Sequence, residues 1–241
     1  MTSLVAKLDT RFYPGVASNW DDKLFRDAIV ALISSDLAVL DVGAGAGIVA
    51  HMNFRGQARR VCGIDLDPRV MENPNLDEAK LADAGSIPYP DGTFDLVFAD
   101  NVMEHLAEPA AVFREIGRVL KPGGRLLFKT PNKNHYMPLI ARITPHRFHQ
   151  FVNRLRGRAE IDTFPTLYRA NSPRDVRMLA ERCGFDVMRI DLIEGRPEYL
   201  RINVLTYICG IAYERLVNST AMLSRFRVVM ISGLRKRAEQ A

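Results

Sequence analysis

Four short apolar runs, LAVLDV (37–42), RRVCGID (59–65), FDLVFAD (94–100) and GRLLFKT (124–130), recur between turn signals. Each is short, apolar and bounded by turns, which predicts a buried strand. Helical candidates lie between them, at Ala46–Phe54 and at Pro109–Leu120, where Val112, Phe113, Ile116, Val119 and Leu120 repeat with helical spacing. Strands alternating with helices restrict the chain to an α/β fold: a parallel sheet with helices on both faces.

Local punctuation agrees with that order. LKPGGR (120–125) closes a helix with a lysine near its negative end and turns into the next strand. DPRV (67–70) reads as a helix start, with Asp67 as N-cap and Pro68 at the first helical position. PDGTFD (90–95) is a turn feeding the run at 94–100. Further on, SPRDVRMLAERCGF (172–185) predicts a helix capped by Ser172 and ended by Gly184, with strands at 186–193 and 225–234.

The glycine loop narrows the ligand. Residues 39–48 read VLDVGAGAGI, with glycines at 43, 45 and 47. A dinucleotide loop needs G-x-G-x-x-G, but Ile48 stands where its third glycine belongs. A carboxylate at Asp41 would repel a pyrophosphate, and no Gly-Lys-Ser/Thr follows to make a Walker loop. An acid there suits a ligand carrying a sulfonium and an ammonium, which describes S-adenosylmethionine. Other positions agree: Asp65 ends the second strand, where this fold sets an acid against a ribose. Asp83-Ala84 follow a third strand, where a carboxylate could accept from an adenine amino group, and Ala99, Asp100 and Asn101 sit at the carboxyl edge of the fourth.

Together D-V-G-A-G-A-G, G-I-D-L-D-P, A-D-A…I-P-Y-P-D-G-T-F-D-L-V, E-H-L and L-K-P-G-G-R-L resemble the class I S-adenosylmethionine-dependent methyltransferases, of the small-molecule, ubiquinone-biosynthesis-like type. The resemblance runs from about Leu37 to Pro131. It implies a Rossmann-like doubly wound seven-stranded sheet, mostly parallel with one antiparallel strand near the edge. It further implies S-adenosylmethionine as cofactor, held by Asp41, Gly43, Ala44, Gly45, Gly47, Asp65, Leu66, Asp83, Ala84, Ala99, Asp100 and Asn101. The whole chain is expected to form one domain, with an N-terminal helical lid (1–36), a cofactor core (37–131), a substrate insertion (132–171), and a last helix and strand hairpin (172–241) interrupted by a helical insertion at 194–224.

Methyl transfer is an in-line displacement in which alignment supplies roughly 7–11 kcal/mol of the barrier. No catalytic side chain is therefore required, and none is assigned. A phenol or hydroxyl acceptor would benefit from a base, for which His105, His135, His146 and His149 are candidates. His135 and Tyr136 follow the fifth strand and are assigned to the acceptor, as is Arg169, which could grip an anion. The histidine spacing suits no metal, and none is expected.

Composition bounds the partners. Residues 1–113 carry 9 Lys/Arg against 17 Asp/Glu, whereas residues 114–241 carry 24 against 11. The basic half suits an anionic small-molecule or lipid-like acceptor or a membrane surface. Nucleic acid is disfavoured, because Ala99-Asp100-Asn101-Val102 replaces the Asn/Asp-Pro-Pro-aromatic motif of base methylation and no DNA-binding signature is present. Three scattered cysteines and no recognisable secretory signal lead to a cytoplasmic expectation. The apolar stretch near Asn203–Val217 is too short to span a bilayer. Leu205, Ile208, Cys209, Ala212 and Leu216 share one helical face there, read as core packing or dimerisation in preference to a peripheral membrane contact. A monomer and a homodimer both stay open. A non-catalytic cofactor-binding scaffold is the alternative function, and a nicotinamide-dependent oxidoreductase is opposed by Ile48 and Asp41.

Overall fold

The computed structural model describes residues 3–17, 19–143 and 165–238. Seven strands form one sheet: β1 (Ala38–Val42), β2 (Arg60–Asp65), β3 (Glu78–Leu81), β4 (Phe94–Asp100), β5 (Leu120–Pro131), β6 (Phe185–Ile193) and β7 (Val229–Lys236), in the order β3-β2-β1-β4-β5-β7-β6. The first five pair in parallel, with Asp41 opposite Gly63, Val42 opposite Ala99 and Asp100 opposite Lys129. β7 runs against its neighbours. The Asn132 amide at the end of β5 donates to the Val228 carbonyl just before β7, and the Arg237 amide after β7 donates to the Gly184 carbonyl before β6. The sheet expected from the resemblance, with one antiparallel strand near its edge, is the sheet observed.

The chain divides into two compact units, Met1–Asp21 with Pro131–Pro165 and Leu192–Val229, and Asp22–Thr130 with Thr166–Asp191 and Met230–Ala241. The second holds most of the sheet. Its core is built where strand alternation and helix periodicity meet: Val39, Leu40, Val97, Phe98, Leu127 and Phe128 are inaccessible. α3 (Pro109–Val119) buries Val112, Phe113, Ile116 and Val119, and the Phe113 ring meets those of Phe128 and Phe185 edge-on at 6.0 and 6.2 Å. Each such side chain contributes roughly 1.5–3 kcal/mol by leaving water. After α4 (Tyr136–Ile143), α5 (Pro173–Arg182) starts where expected, with Ser172 accepting from the Asp175 amide, and Gly184 turns the chain out at φ +77°.

The helix expected at Ala46–Phe54 is not formed; only a 3-10 turn at Ala50–Met52 is. The glycine loop stays a loop, because Gly47 sits at φ +68°, outside the right-handed helical region, and its neighbours' carbonyls are claimed by side chains described below. The final strand is also later than expected, since residues Leu223–Phe226 form a 3-10 turn before it.

In the first unit, α1 (Ser3–Phe12) packs on α6 (Val204–Ser219) through Val5, Tyr13, Tyr207 and Ile211. α6 begins in a capping box between Asn203 and Thr206. Its orientation corrects the core-packing expectation: Leu205, Ile208, Cys209, Ala212 and Leu216 are all exposed, and Tyr207, Gly210, Ile211, Glu214 and Val217 are buried. Gly210 explains the choice of face. A Cβ there would lie 2.9 Å from the Pro197 side chain, so the glycine permits a close approach that a side chain at this position would block. Buried Glu214 is satisfied by the Tyr13 hydroxyl at 3.0 Å and the Asn218 amide at 2.7 Å.

Candidate active site

Parallel pairing brings Asp41, Asp65 and Asp100 to the carboxyl ends of β1, β2 and β4, the edge where open α/β sheets bind ligands. Asp65 is the organiser. Its two carboxylate oxygens accept from the Gly45 and Asp67 amides, both at 2.8 Å, tying the glycine loop to the turn after β2. The loop's other side is held by two residues sequence reasoning missed. Asn73 donates to the Ala44 and Gly45 carbonyls at 2.9 and 3.1 Å, and Asn75 donates to Gly47 at 3.0 Å. Side-chain amides far along the chain thus do the work of a helix in fixing the loop. Nothing in their sequence setting marked them.

The loop has the shape of a cradle. At Gly43 a Cβ would fall 2.3 Å from the Val102 side chain, and at Gly47 one would fall 2.1 Å from Asn73 Oδ1. Above Gly45 only Asp65 Oδ2 comes near, at 3.9 Å, which leaves space for a ligand against the backbone. Burial pushes the Asp41 carboxyl well above the usual range, and the negative charges of Asp100 and then Asp65 push it further. Carboxylates that repel one another accommodate a cation readily and an anion poorly. The donor set therefore fits the sulfonium and ammonium of S-adenosylmethionine, and does not fit a pyrophosphate.

The other assigned positions divide. Leu66 is 61% exposed beside Asp65, an apolar side chain free to cover a flat ring. Asp83 is exposed and closes its own turn, accepting from the Gly85 amide at 2.6 Å, with Ala84 half-buried beside it. Ala99 is inaccessible within the sheet, so only its backbone could meet a ligand. Asn101 adopts φ +53°, its amide donating to the Lys129 carbonyl at 2.9 Å.

Lys129 is the most consequential residue missed. It is fully buried, lies 3.1 Å from Asp100 Oδ1 and contacts Asp22 of α2 (Trp20–Val30). A buried cation between two acids compensates charge that Asp100 would otherwise add beside Asp41. Lysine within a strand reads locally as an edge or surface residue, which is why it went unnoticed. Glu104 of E-H-L is likewise structural: it accepts from Thr130 Oγ1 at 2.9 Å, Asn171 donates to the same Thr130 oxygen at 2.6 Å, and burial pushes its carboxyl up. His105 stands beside it in a 3-10 turn, 4.0 Å from the Glu104 carboxylate.

Of the acceptor residues, Arg169 donates to the Ala107 carbonyl at 2.5 Å and lies 3.8 Å from Glu108, with half of its side chain exposed. His135 and Tyr136 belong to the first unit. His135 is buried among the rings of Tyr136, Tyr199 and Tyr213, with centroids at 4.0, 5.9 and 5.5 Å. Its Nδ1 accepts from the Met137 amide at 3.3 Å, which leaves the proton of the neutral ring on Nε2, 3.8 Å from Glu194. Burial holds this imidazole down to about 3 and raises Glu194 to about 8. His146 and His149 lie outside the described residues. Among the described residues no cluster of His, Cys, Asp and Glu could hold a metal.

Residues 40–128 match the family model of the methyltransferase domain. The chain is 36% identical over 115 residues to a ubiquinone biosynthesis O-methyltransferase of Neisseria meningitidis serogroup A, covering 42% of this chain and 48% of that one. It is 37% identical over 99 residues to a malonyl-[acyl-carrier protein] O-methyltransferase of Hahella chejuensis, covering 38% and 36%. The matches thus span about half the length of these curated relatives, or less. The [4+2]-cyclase SpnF shares the fold at 20% identity, with a TM-score of 0.59 over 93% of this chain and 84% of that one. With the glycine cradle, the strand-end acids and the family match in agreement, residues 40–128 form a methyltransferase domain of the class I S-adenosylmethionine-dependent type, with S-adenosylmethionine as its cofactor.

Proposed function

We propose that the protein transfers a methyl group from S-adenosylmethionine to a small-molecule or lipid-like acceptor that is anionic or phenolic. The observation that carries this reading is the meeting of Asp41, Asp65 and Asp100 beneath a glycine loop open above Gly45. The relatives' names, a ubiquinone-pathway enzyme and one acting on malonyl-[acyl-carrier protein], support an oxygen acceptor on a small or carrier-bound molecule. Bound S-adenosylmethionine supplies a methyl carbon already activated by its sulfonium. The chain's own residues do the rest. In this reading Gly43 and Gly45 let the backbone approach, Asp65 accepts from the ribose hydroxyls, and Asp41 with Asp100 favour the cationic end.

His135 and Tyr136 are proposed to contact the acceptor, and Arg169 to attract its negative charge. His135 in this state is a donor through Nε2 and a poor base, since burial opposes its protonation. The acceptor is thus expected to arrive ionised or to lose its proton to water.

Labelled methyl from S-adenosylmethionine, incubated with cell extract and separated into lipid, polar metabolite, protein and nucleic-acid fractions, tests the reading. Label is expected in the lipid or polar metabolite fraction and absent with Asp65→Ala. Label confined to protein or nucleic acid overturns the acceptor class. Binding of S-adenosylhomocysteine without transfer into any fraction favours the scaffold reading instead.

A further inference from the structure

α6 carries apolar residues on two opposite sides. At about 100° per residue, Leu205, Ile208, Cys209, Ala212 and Leu216 fall within an arc of about 100°, opposite the buried side of Tyr207, Gly210, Glu214 and Val217. The outward side chains are well exposed: Leu205 by 73%, Ile208 by 49% and Leu216 by 57%. The helix therefore buries a glutamate while it shows two leucines and an isoleucine to solvent. That partition is the reverse of what folding alone would select.

Charge in the same unit is arranged to match. Its described residues include 9 Lys/Arg against 5 Asp/Glu. Four of those acids are engaged internally: Asp9 with Tyr207 and Arg201, Glu194 with the Val228 amide, Glu198 with Arg196, and Glu214 with Tyr13 and Asn218. Four cations of the described residues, Lys7, Arg11, Arg215 and Arg225, face outward. Arg215 flanks the apolar arc and stays 60% exposed while reaching Glu214 at 3.3 Å, and Lys7 and Arg11 are exposed on α1, which packs on α6.

From these observations we infer that the outer face of α6 docks onto an anionic phospholipid surface, lying in the plane of the interface with Leu205, Ile208 and Leu216 among the lipids. Area decides against a second copy of the chain. The stripe runs about 16 Å along the helix and about 10 Å across, on the order of 200 Å², whereas a stable protein interface buries about 800 Å² per partner. An interfacial helix needs only such a stripe with cations beside it. Crossing the bilayer is not involved, since no helix among the described residues is long and apolar enough.

Co-sedimentation of the full chain tests this, with vesicles of phosphatidylcholine alone and with about one-third phosphatidylglycerol. The chain is expected to partition onto the anionic vesicles, weakly onto neutral ones, and less as salt rises. Leu205→Glu combined with Ile208→Glu should lower partitioning about tenfold or more. Arg215→Glu should lower it less, and Met188→Glu, an exposed site in the other unit, should leave it unchanged. Circular dichroism confirms that each variant is folded. No partitioning onto anionic vesicles, or partitioning that the α6 variants leave intact, overturns the assignment. So does a dimer by light scattering that Ile208→Glu dissociates, which would make a second copy the occupant.

Discussion

Replacing Glu194 with glutamine should change the pH dependence of stability in a calculable direction. Glu194 is buried, donates nothing while ionised, and accepts from the Val228 amide at 2.8 Å, a bond the glutamine carbonyl can keep. Burial raises its carboxyl to about 8, with Glu214 adding to the rise and Arg227 opposing it. Below its ordinary value of 4.5 the group is protonated folded or unfolded, and its protonation favours neither state. As pH rises above that value the unfolded chain ionises and the folded one does not, so stability falls until the folded value is reached. His135 acts in the opposite sense: held down to about 3 from an ordinary 6.5, it costs stability as pH falls between those values. The two slopes oppose one another between 4.5 and 6.5 and leave a plateau, with Glu194 alone acting above it. Three pH units at about 1.4 kcal/mol each make Glu194→Gln more stable than the natural chain by about 4 kcal/mol at pH 8 relative to pH 5. At about 2–4 °C per kcal/mol, thermal unfolding followed across that range resolves the difference easily. A gap between the two proteins that stays constant from pH 5 to pH 8 would refute the reasoning, and would mean that Glu194 ionises normally in the fold.

Gly47→Ala should destabilise the chain by about 1–3 kcal/mol, because the new Cβ meets Asn73 Oδ1 at a left-handed φ. Urea titration gives that loss, and the thermal shift on adding S-adenosylhomocysteine should shrink with it; an unaltered shift would show that the loop does not need Asn73 in place. Lys129→Met should cost about 3–5 kcal/mol, since Asp100 and Asp22 lose the buried cation between them. Natural stability in that variant, measured by urea titration, would mean the two carboxylates are satisfied without it.

The positions legible in the sequence were those whose signal is local. β1, β2, β4 and β5 announced themselves by apolar runs between turns, and Asp67, Ser172 and Gly184 by their places at helix ends. The glycine loop and Asp65 were legible because their spacing is set by one strand–loop–strand unit. The helix expected at Ala46–Phe54 was lost to a contest invisible along the chain, in which Asn73 and Asn75 hold the loop carbonyls from about 30 residues away. Lys129 escaped notice for the same reason. Nothing in GRLLFKT distinguishes a solvated lysine from one enclosed by acids on α2 and β4.

The sequence by itself thus determined the order of strands and helices, the glycine cradle and the acids at the strand ends, because hydrophobic period, capping and turn chemistry act over a few residues. Tertiary structure alone decided which side of α6 faces inward and which buried charges meet. On α6 both sides are apolar, so periodicity could not select between them, and the close approach of Gly210 to Pro197 settled the choice. His135 and Glu194 are 59 positions apart, and only packing brings them within 3.8 Å, where burial rather than sequence sets the protonation of both.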